Sequence, residues 1–376
     1  MLVGCILGVA LIGLVLWDAF ETVILPRRVT RRFRLTRLFY RSTWRVWSRL
    51  AAAASGRRSE MLFSVFGPLS LLALLIVWAL GLILGFAILQ WSMATPLSSG
   101  GSSAGFTTYL YLSGTTFFTL GFGDVVPLDA LGRALAVLES GTGFGFLALV
   151  LGYLPVLYQA FSRREVNISL LDARAGSPPT AAELLRRHSE DHGAEALRQL
   201  LHEWERWSAE LMESHLSYPV LAYFRSQHDN QSWLAALTAI LDTCAVVMVA
   251  GPASCQRQAR LTFAIARHAV VDLAQVFGAA PRPPESERLS AADWAGLHRL
   301  LGFTPSDAPD PSFTFHELSR LRGIYEPYVT ALAARLSLSL PPWVPHSHKA
   351  DNWQTSAWGR SATPSVAAAA GDDPHD

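Results

Sequence analysis

The chain has 376 residues, is 51% hydrophobic, and carries a net charge of +1. That length admits two or three domains, while the near-zero charge averages very unlike regions and says little about partners; no nucleic-acid partner is expected. The three cysteines, Cys5, Cys244 and Cys255, give neither a metal-ligand spacing nor a disulfide framework.

Residues 1–25 are largely apolar, and their only charged side chains are Asp18 and Glu21. No basic start and no small-residue cleavage site mark them as a signal peptide, so a retained transmembrane helix is expected. Residues 26–59 then hold eleven arginines and no acid. Arg34, Arg37, Arg41, Arg45 and Arg49 recur every three or four residues, among Phe33, Leu35, Leu38, Phe39, Val46, Trp47 and Leu50. This predicts an interfacial amphipathic helix, with anionic membrane lipid as the partner of the Arg27–Arg58 segment. The positive-inside rule puts the loop in the cytoplasm and the N-terminus outside.

From Met61 to Gly123 there is no charged residue, and from Ala134 to Ser162 only Glu139. A bilayer span needs about 20 apolar residues, so spans are expected near 61–91 and 130–160. Arg163 and Arg164, just past the third, agree with a return to the cytoplasm. Between the two spans, Ser98–Ser103 reads as an outer loop. Phe106–Phe118 is apolar but too short to cross, which fits a re-entrant half-helix.

Thr119-Leu120-Gly121-Phe122-Gly123-Asp124 follows that half-helix. It resembles the signature of the potassium channel family, commonly Thr-Val-Gly-Tyr-Gly-Asp. Ser113, Thr116, Val125-Val126-Pro127 and Gly132-Arg133 extend the resemblance, which covers about 61–160. It implies a potassium-selective channel built as a homotetramer, with potassium as permeant ion and no other cofactor. The carbonyls of Thr119, Leu120, Gly121 and Phe122, with the Thr119 hydroxyl, would form stacked oxygen rings on a shared axis. Gly121 and Gly123 would supply the left-handed turns that an alternating backbone needs, and Asp124 would sit at the outer mouth. By the same resemblance Gly143 is a hinge, Phe144, Leu147 and Leu151 line the cavity, and Pro155 lies near the gate.

Two positions depart from the family. A tryptophan and a tyrosine that often brace the filter are Leu112 and Phe122 here, and neither can form that bond. The pore-helix acid that often partners the filter aspartate is Thr115. Glu139 is an acid inside a span. At about 100° per residue it lies some 140° from Phe144, and so faces the pore helix; it is a candidate proton sensor or filter brace, with Thr115 or Thr116 as partner hydroxyls.

Past Arg164 the chain changes character. Leu197, Leu200, Leu201, Trp204, Trp207 and Leu211 mark one apolar helix face; Leu318, Leu321, Ile324, Tyr325, Tyr328, Leu332 and Leu336 mark another. A cytosolic helical domain is expected over 165–340, its ligand left open, with a mostly disordered tail at 341–376. Trp233–Ala250 is apolar enough for a fourth span, but Asp242 near its centre favours a buried bundle helix. His215, His228, Asp229, His268 and Asp272 lack a diagnostic metal spacing.

The expected fold class is therefore an all-α membrane protein: three transmembrane helices with a re-entrant pore helix and filter, followed by a cytosolic helical bundle. Its segments are an N-terminal helix (1–25), a basic linker (26–60), a pore domain (61–164), a helical domain (165–340) and a tail. The expected function is passive potassium conduction across the plasma membrane, without enzymatic activity. A weakly selective cation channel, and a membrane-anchored signalling or enzymatic domain with a vestigial pore, are the alternatives.

Overall fold

The computed structural model describes residues 1–25, 34–98, 105–189, 193–228, 230–284, 286–300 and 311–345. Arg27, Arg28, Arg31, Arg32, Phe33, Asp229, most of the expected outer loop and all of the tail after Pro345 lie outside them. The chain is an all-α membrane protein in two compact units, Met1–Gln159 and Ala160–Asp376.

In the first unit, α1 (Leu2–Ala19) runs on into a π-helical turn, Phe20–Ile24, and α2 covers Leu35–Ala53. The long α3 spans Arg57–Ser92, the short α4 Phe106–Phe117, and α5 Ala130–Ala175. At 1.5 Å per residue α4 is about 18 Å long, well short of a hydrocarbon core of about 30 Å. β1 (Leu97–Ser98) pairs antiparallel with β2 (Val126–Pro127), Leu97 opposite Pro127. This pairing ties the end of α3 to the chain that follows the glycine-rich segment.

α1, α2 and α4 all pack on α3. Val15, Leu74, Leu75, Trp78, Leu82, Ile83 and Phe117 form one buried cluster, with Leu35 and Phe39 of α2 against it. Lipid tails are as apolar as these side chains, so helix association in a bilayer leans on close packing and polar bonds. Asp18 provides such bonds. Its carboxylate accepts from the Trp78 indole at 2.9 Å and from the Thr36 backbone N–H at 3.1 Å. It thereby caps the first turn of α2, whose own N-cap, Arg34, offers no acceptor. Sequence patterning laid α2 on the membrane surface. In the structure it also docks on protein: Trp44 stacks edge-on to Phe66 at 4.8 Å, and the Trp47 indole donates to the Leu62 carbonyl at 2.9 Å.

The expected spans gain length. α3 begins four residues before Met61, and α5 runs fifteen residues beyond 160, because an apolar stretch giving way to an amphipathic one does not interrupt a helix. Pro68 and Pro155 both lie inside helices.

The second unit takes the last part of α5, then α6 (Ala181–Arg187), α7 (Gly193–Ser217), a 3₁₀ turn at Pro219–Tyr223, α8 (Trp233–Ala250) and α9 (Ala253–Phe277). α10 (Ala291–Leu300), α11 (Pro311–Gly323) and α12 (Glu326–Leu336) complete it. Local chemistry sets several starts. Thr180 accepts from the Glu183 N–H, Ser232 from the Ala235 N–H, and Ser290 and Asp293 cap each other reciprocally. The predicted α7 face is buried as expected. The second predicted face divides between α11 and α12, and Ile324, in the turn between them, is exposed.

α8 is long and apolar enough to cross a membrane, as are α1, α3 and α5 among the described residues. Its surface, however, is covered by α9, α11, α6 and α12, and every residue from Trp233 to Val247 is buried. Asp242 is not left in an apolar medium alone. It pairs with Arg288 at 2.6 Å and accepts from the Tyr325 hydroxyl at 2.5 Å. Arg288 continues to Glu326 at 3.1 Å and to the Pro341 carbonyl at 2.8 Å, and Glu326 accepts from Arg322 at 3.2 Å. The Trp343 ring lies beside both guanidinium groups, at 5.8 and 5.5 Å. Trp343 is buried, so the first residues of the expected disordered tail belong to this core.

Candidate functional site

The site is built outward from α4. Tyr109, Leu112, Ser113 and Phe117 form its buried face, at the three- and four-residue spacing of a helix. The Ser113 hydroxyl lies 2.7 Å from the Ile83 carbonyl of α3, and the Tyr109 hydroxyl donates to the Thr95 carbonyl at 2.7 Å. At the other end of α4, the Thr119 N–H bonds the Thr116 carbonyl at 3.0 Å and the Leu120 N–H bonds the Thr115 carbonyl at 2.8 Å. The segment Thr119–Asp124 is thus attached to the helix that precedes it.

Beyond that attachment the backbone alternates. Thr119, Gly121 and Gly123 have φ of 56°, 59° and 76°, whereas Leu120 and Phe122 do not enter the positive region. The two glycines take the left-handed geometry without penalty. Thr119 does not: a β-branched residue there is strained, and the glycine spacing alone does not predict a left-handed residue at this position. Among the described residues no hydrogen bond engages the carbonyls of Thr119, Leu120, Gly121 or Phe122. All six residues from Thr119 to Asp124 are exposed on the protomer.

Leu112 is buried and Phe122 exposed, and neither braces the segment. The brace comes from the neighbouring residue. Tyr111 donates to the Asp124 carboxylate at 2.9 Å, and Asp124 in turn accepts from the Val125 N–H at 3.1 Å. A tyrosine one position before Leu112 was the available signal.

Glu139 is fully buried on α5. Its partners are Ser113 of α4, through a short hydrogen bond, and Gln90 of α3, whose amide donates at 3.3 Å. Thr115 and Thr116, the hydroxyls expected to meet it, do not. The Thr115 hydroxyl turns back to the Tyr111 and Leu112 carbonyls of its own helix, at 3.1 and 3.0 Å. Gly143 sits one turn beyond Glu139. A Cβ there would lie 2.8 Å from the carbonyl carbon of Phe117 and 3.1 Å from its Cα. The glycine therefore serves close approach of α5 to the end of α4, whatever freedom it lends to bending. Phe144, Leu147, Leu151 and Pro155 are exposed on the protomer.

Residues 72–159 match the model of a family described as Ion channel. Over those residues the chain carries an ion-channel pore domain of the two-helix type. The matched segment runs from the middle of α3, through α4 and the glycine-rich turn, into α5, and it is under a quarter of the chain. No curated protein and no solved structure matches the chain. Long apolar helices, two of which form part of this domain, make it a multi-pass membrane protein that belongs to ion transport.

In the second unit, the sequence read Arg164 only as a basic flank. Its side chain is buried there. The guanidinium donates to Glu165 at 2.9 Å, to the Leu221 carbonyl at 2.9 Å and to the Phe224 carbonyl at 2.8 Å, and lies over the Phe161 ring at 5.0 Å. One nitrogen also faces His215 Nε2 at 3.2 Å, while His215 Nδ1 meets the Leu211 carbonyl at 2.9 Å. Arginine only donates and a carbonyl only accepts. His215 is therefore the neutral Nδ1–H tautomer, and burial followed by the Arg164 charge holds its proton affinity well below the ordinary value. His268 and Asp272 pair on α9 at 3.2 Å. Among the described residues no three potential metal ligands come together.

Proposed function

We propose that this chain is one subunit of a homotetrameric, potassium-selective channel that conducts passively across the plasma membrane. The observation that carries the reading is the backbone of Thr119–Gly123, with alternating hand and unengaged carbonyls inside a channel pore domain. Carbonyls that become buried when chains assemble around an axis need a partner, and a dehydrated cation supplies one when rings of carbonyls face that axis. One such segment per chain calls for several chains around that axis. The exposure of Phe118, Leu120, Phe122, Phe144, Leu147 and Leu151 on the protomer supports the same assembly. In this reading Thr119, Leu120, Gly121, Phe122 and Gly123 bind potassium, Asp124 draws cations to the mouth, and Phe144, Leu147 and Leu151 line the cavity. Gly143 and Pro155 are the positions where the inner helix bends or gates. The arginine-rich segment lies on the cytoplasmic side, with the N-terminus outside and the second unit in the cytosol.

The α2 surface supports a lipid partner. Arg37, Arg41, Arg45 and Arg49 form one exposed row and Leu38, Val46 and Leu50 the adjacent one, opposite the face that packs on α3. Guanidinium groups beside apolar side chains match the headgroup and acyl boundary of an anionic leaflet.

The experiment is flux through purified protein in liposomes, potassium against sodium, together with mass measurement in mild detergent. Potassium flux far above sodium flux from a tetramer is the expected result. Equal fluxes identify a weakly selective cation channel, and no flux a vestigial pore. Gly123→Ala should degrade selectivity, because a side chain in the left-handed region costs about 1–2 kcal/mol. An unchanged ion preference in that variant refutes the filter assignment.

A further inference from the structure

Behind the candidate filter three helices meet at one polar point. Glu139 of α5, Ser113 of α4 and Gln90 of α3 are each at most 1% exposed. No ion pair reaches Glu139 among the described residues. The hydrogens can be counted. A serine hydroxyl carries one, yet Ser113 Oγ lies within bonding distance of two acceptors, the Ile83 carbonyl and Glu139 Oε1. If the hydroxyl donates to Ile83, the hydrogen between Oγ and Oε1 comes from the carboxyl group. The second carboxyl oxygen then accepts from the Gln90 amide. A carboxylic acid completes this set without leaving an unpaired charge in the bilayer interior, where such a charge is expensive.

The junction is close to the ion-binding backbone. Ser113 precedes Thr119 by less than two helical turns, and the carbonyls of Thr115 and Thr116 between them hold the N–H groups of Leu120 and Thr119. Apolar contacts between helices in lipid tolerate sliding more readily than a buried hydrogen bond does. Among the described residues this is the one place where α3, α4 and α5 are joined by side-chain polar bonds, and it therefore sets the height and rotation of α4, and with it the spacing of the carbonyl rings.

We propose that Glu139, acting as a hydrogen-bonding acid with Ser113 and Gln90, is a positioning residue for ion selectivity. This rests on the potassium-channel reading of residues 119–123. Glutamine can replace the acid, its amide donating to Ser113 Oγ and its carbonyl accepting from Gln90. Leucine cannot.

The test uses full-length wild type, Glu139→Gln, Glu139→Leu and Ser113→Ala in liposomes. Two quantities are read: the potassium-over-sodium permeability ratio, and amide hydrogen exchange across residues 113–127. Glu139→Leu and Ser113→Ala should each lower the ratio by about tenfold, what one buried hydrogen bond of ordinary strength can carry, and speed exchange in that segment. Glu139→Gln should keep both at wild-type values. A tetrameric Glu139→Leu with the wild-type ratio and exchange overturns the proposal. Should that variant fail to assemble, Ser113→Ala, which removes a single oxygen, decides in the same way. A wild type that passes both ions equally refutes the filter reading instead, and exchange alone then judges the junction.

Discussion

Acidification should destabilise the second unit through His215, and the size of the effect follows from its surroundings. The imidazole is buried, with Arg164 facing Nε2 and the Leu211 carbonyl holding the Nδ1 hydrogen. Glu165 and Ser214 are the other polar groups at this point, the first bonded to Arg164 and the second 3.2 Å from Nδ1. A second proton would set an N–H against a guanidinium N–H. The folded chain therefore refuses a proton that the unfolded chain accepts near the ordinary value of 6.5. Stability from this group is complete above that value and is lost as pH falls below it, because there the unfolded state binds more protons. The loss is at most about 1.4 kcal/mol at pH 5.5 and at most about 2 kcal/mol at pH 5.0, the limits reached when the folded imidazole takes up no proton. Glu183, held down to about 2 mainly by the hydrogen bond from Arg186, acts in the same direction but only below the ordinary carboxylate range. Burial raises the Asp242 proton affinity and so acts in the opposite direction, and the comparison with a variant lacking the imidazole is what isolates the histidine. The assay is denaturant unfolding of the detergent-solubilised protein, followed by tryptophan fluorescence, for wild type and His215→Gln. Across the window from pH 6.5 to 5.0 wild type should lose stability relative to the variant, by about the amount given above. Parallel losses in the two proteins would refute the reasoning.

Three further perturbations discriminate between local accounts. Arg288→Met strands the buried carboxylate of Asp242 and should cost about 3–5 kcal/mol in denaturant unfolding; adding Asp242→Leu should recover most of it, since Glu326 keeps Arg322. Gly143→Ala drives a Cβ into the Phe117 backbone, so hydrogen exchange at the end of α4 should rise as well as channel gating change; altered gating with unchanged exchange would leave the hinge role alone. Asp18→Ala removes the cap of α2 and the Trp78 bond together, at about 1–3 kcal/mol, and limited trypsin digestion should then cleave faster at Arg37, Arg41 and Arg45.

The membrane helices were legible because hydropathy is additive along the chain, and the candidate filter because its backbone restricts which residue fits. Gly121 and Gly123 are where they are for a local reason, visible in six letters. Arg164, Glu139 and Trp343 were not legible in that way. Each has an identity that the sequence reports faithfully and a partner that only tertiary structure supplies. Arg164 looks like any basic residue after a span, yet its guanidinium is engaged by carbonyls 57 and 60 residues later. The direction of Glu139 followed from helix geometry, but its partner did not. A rotation of about 100° per residue separates Ser113 from Thr115 by more than half a turn, and which of them faces α5 depends on how α4 seats on α3.

That seating explains why so many contacts converge on one short helix. α4 cannot cross the membrane, and in lipid it gains little from apolar contact alone. Its position is fixed by specific bonds at successive levels: Tyr109 to Thr95, Tyr111 to Asp124, Ser113 to Ile83 and Glu139, and the Phe117 backbone against Gly143. Three of these four levels join α4 to α3 or α5, or to the chain just beyond α3. Movement of α5 is therefore felt at α4 through Glu139 and Gly143, one helical turn apart, before it reaches Thr119. The strained φ of Thr119 is the next link, since a residue held in a conformation it disfavours persists only while its surroundings enforce it. Loosening either contact on α5 should release that strain first at Thr119, the innermost of the ion-binding positions proposed here.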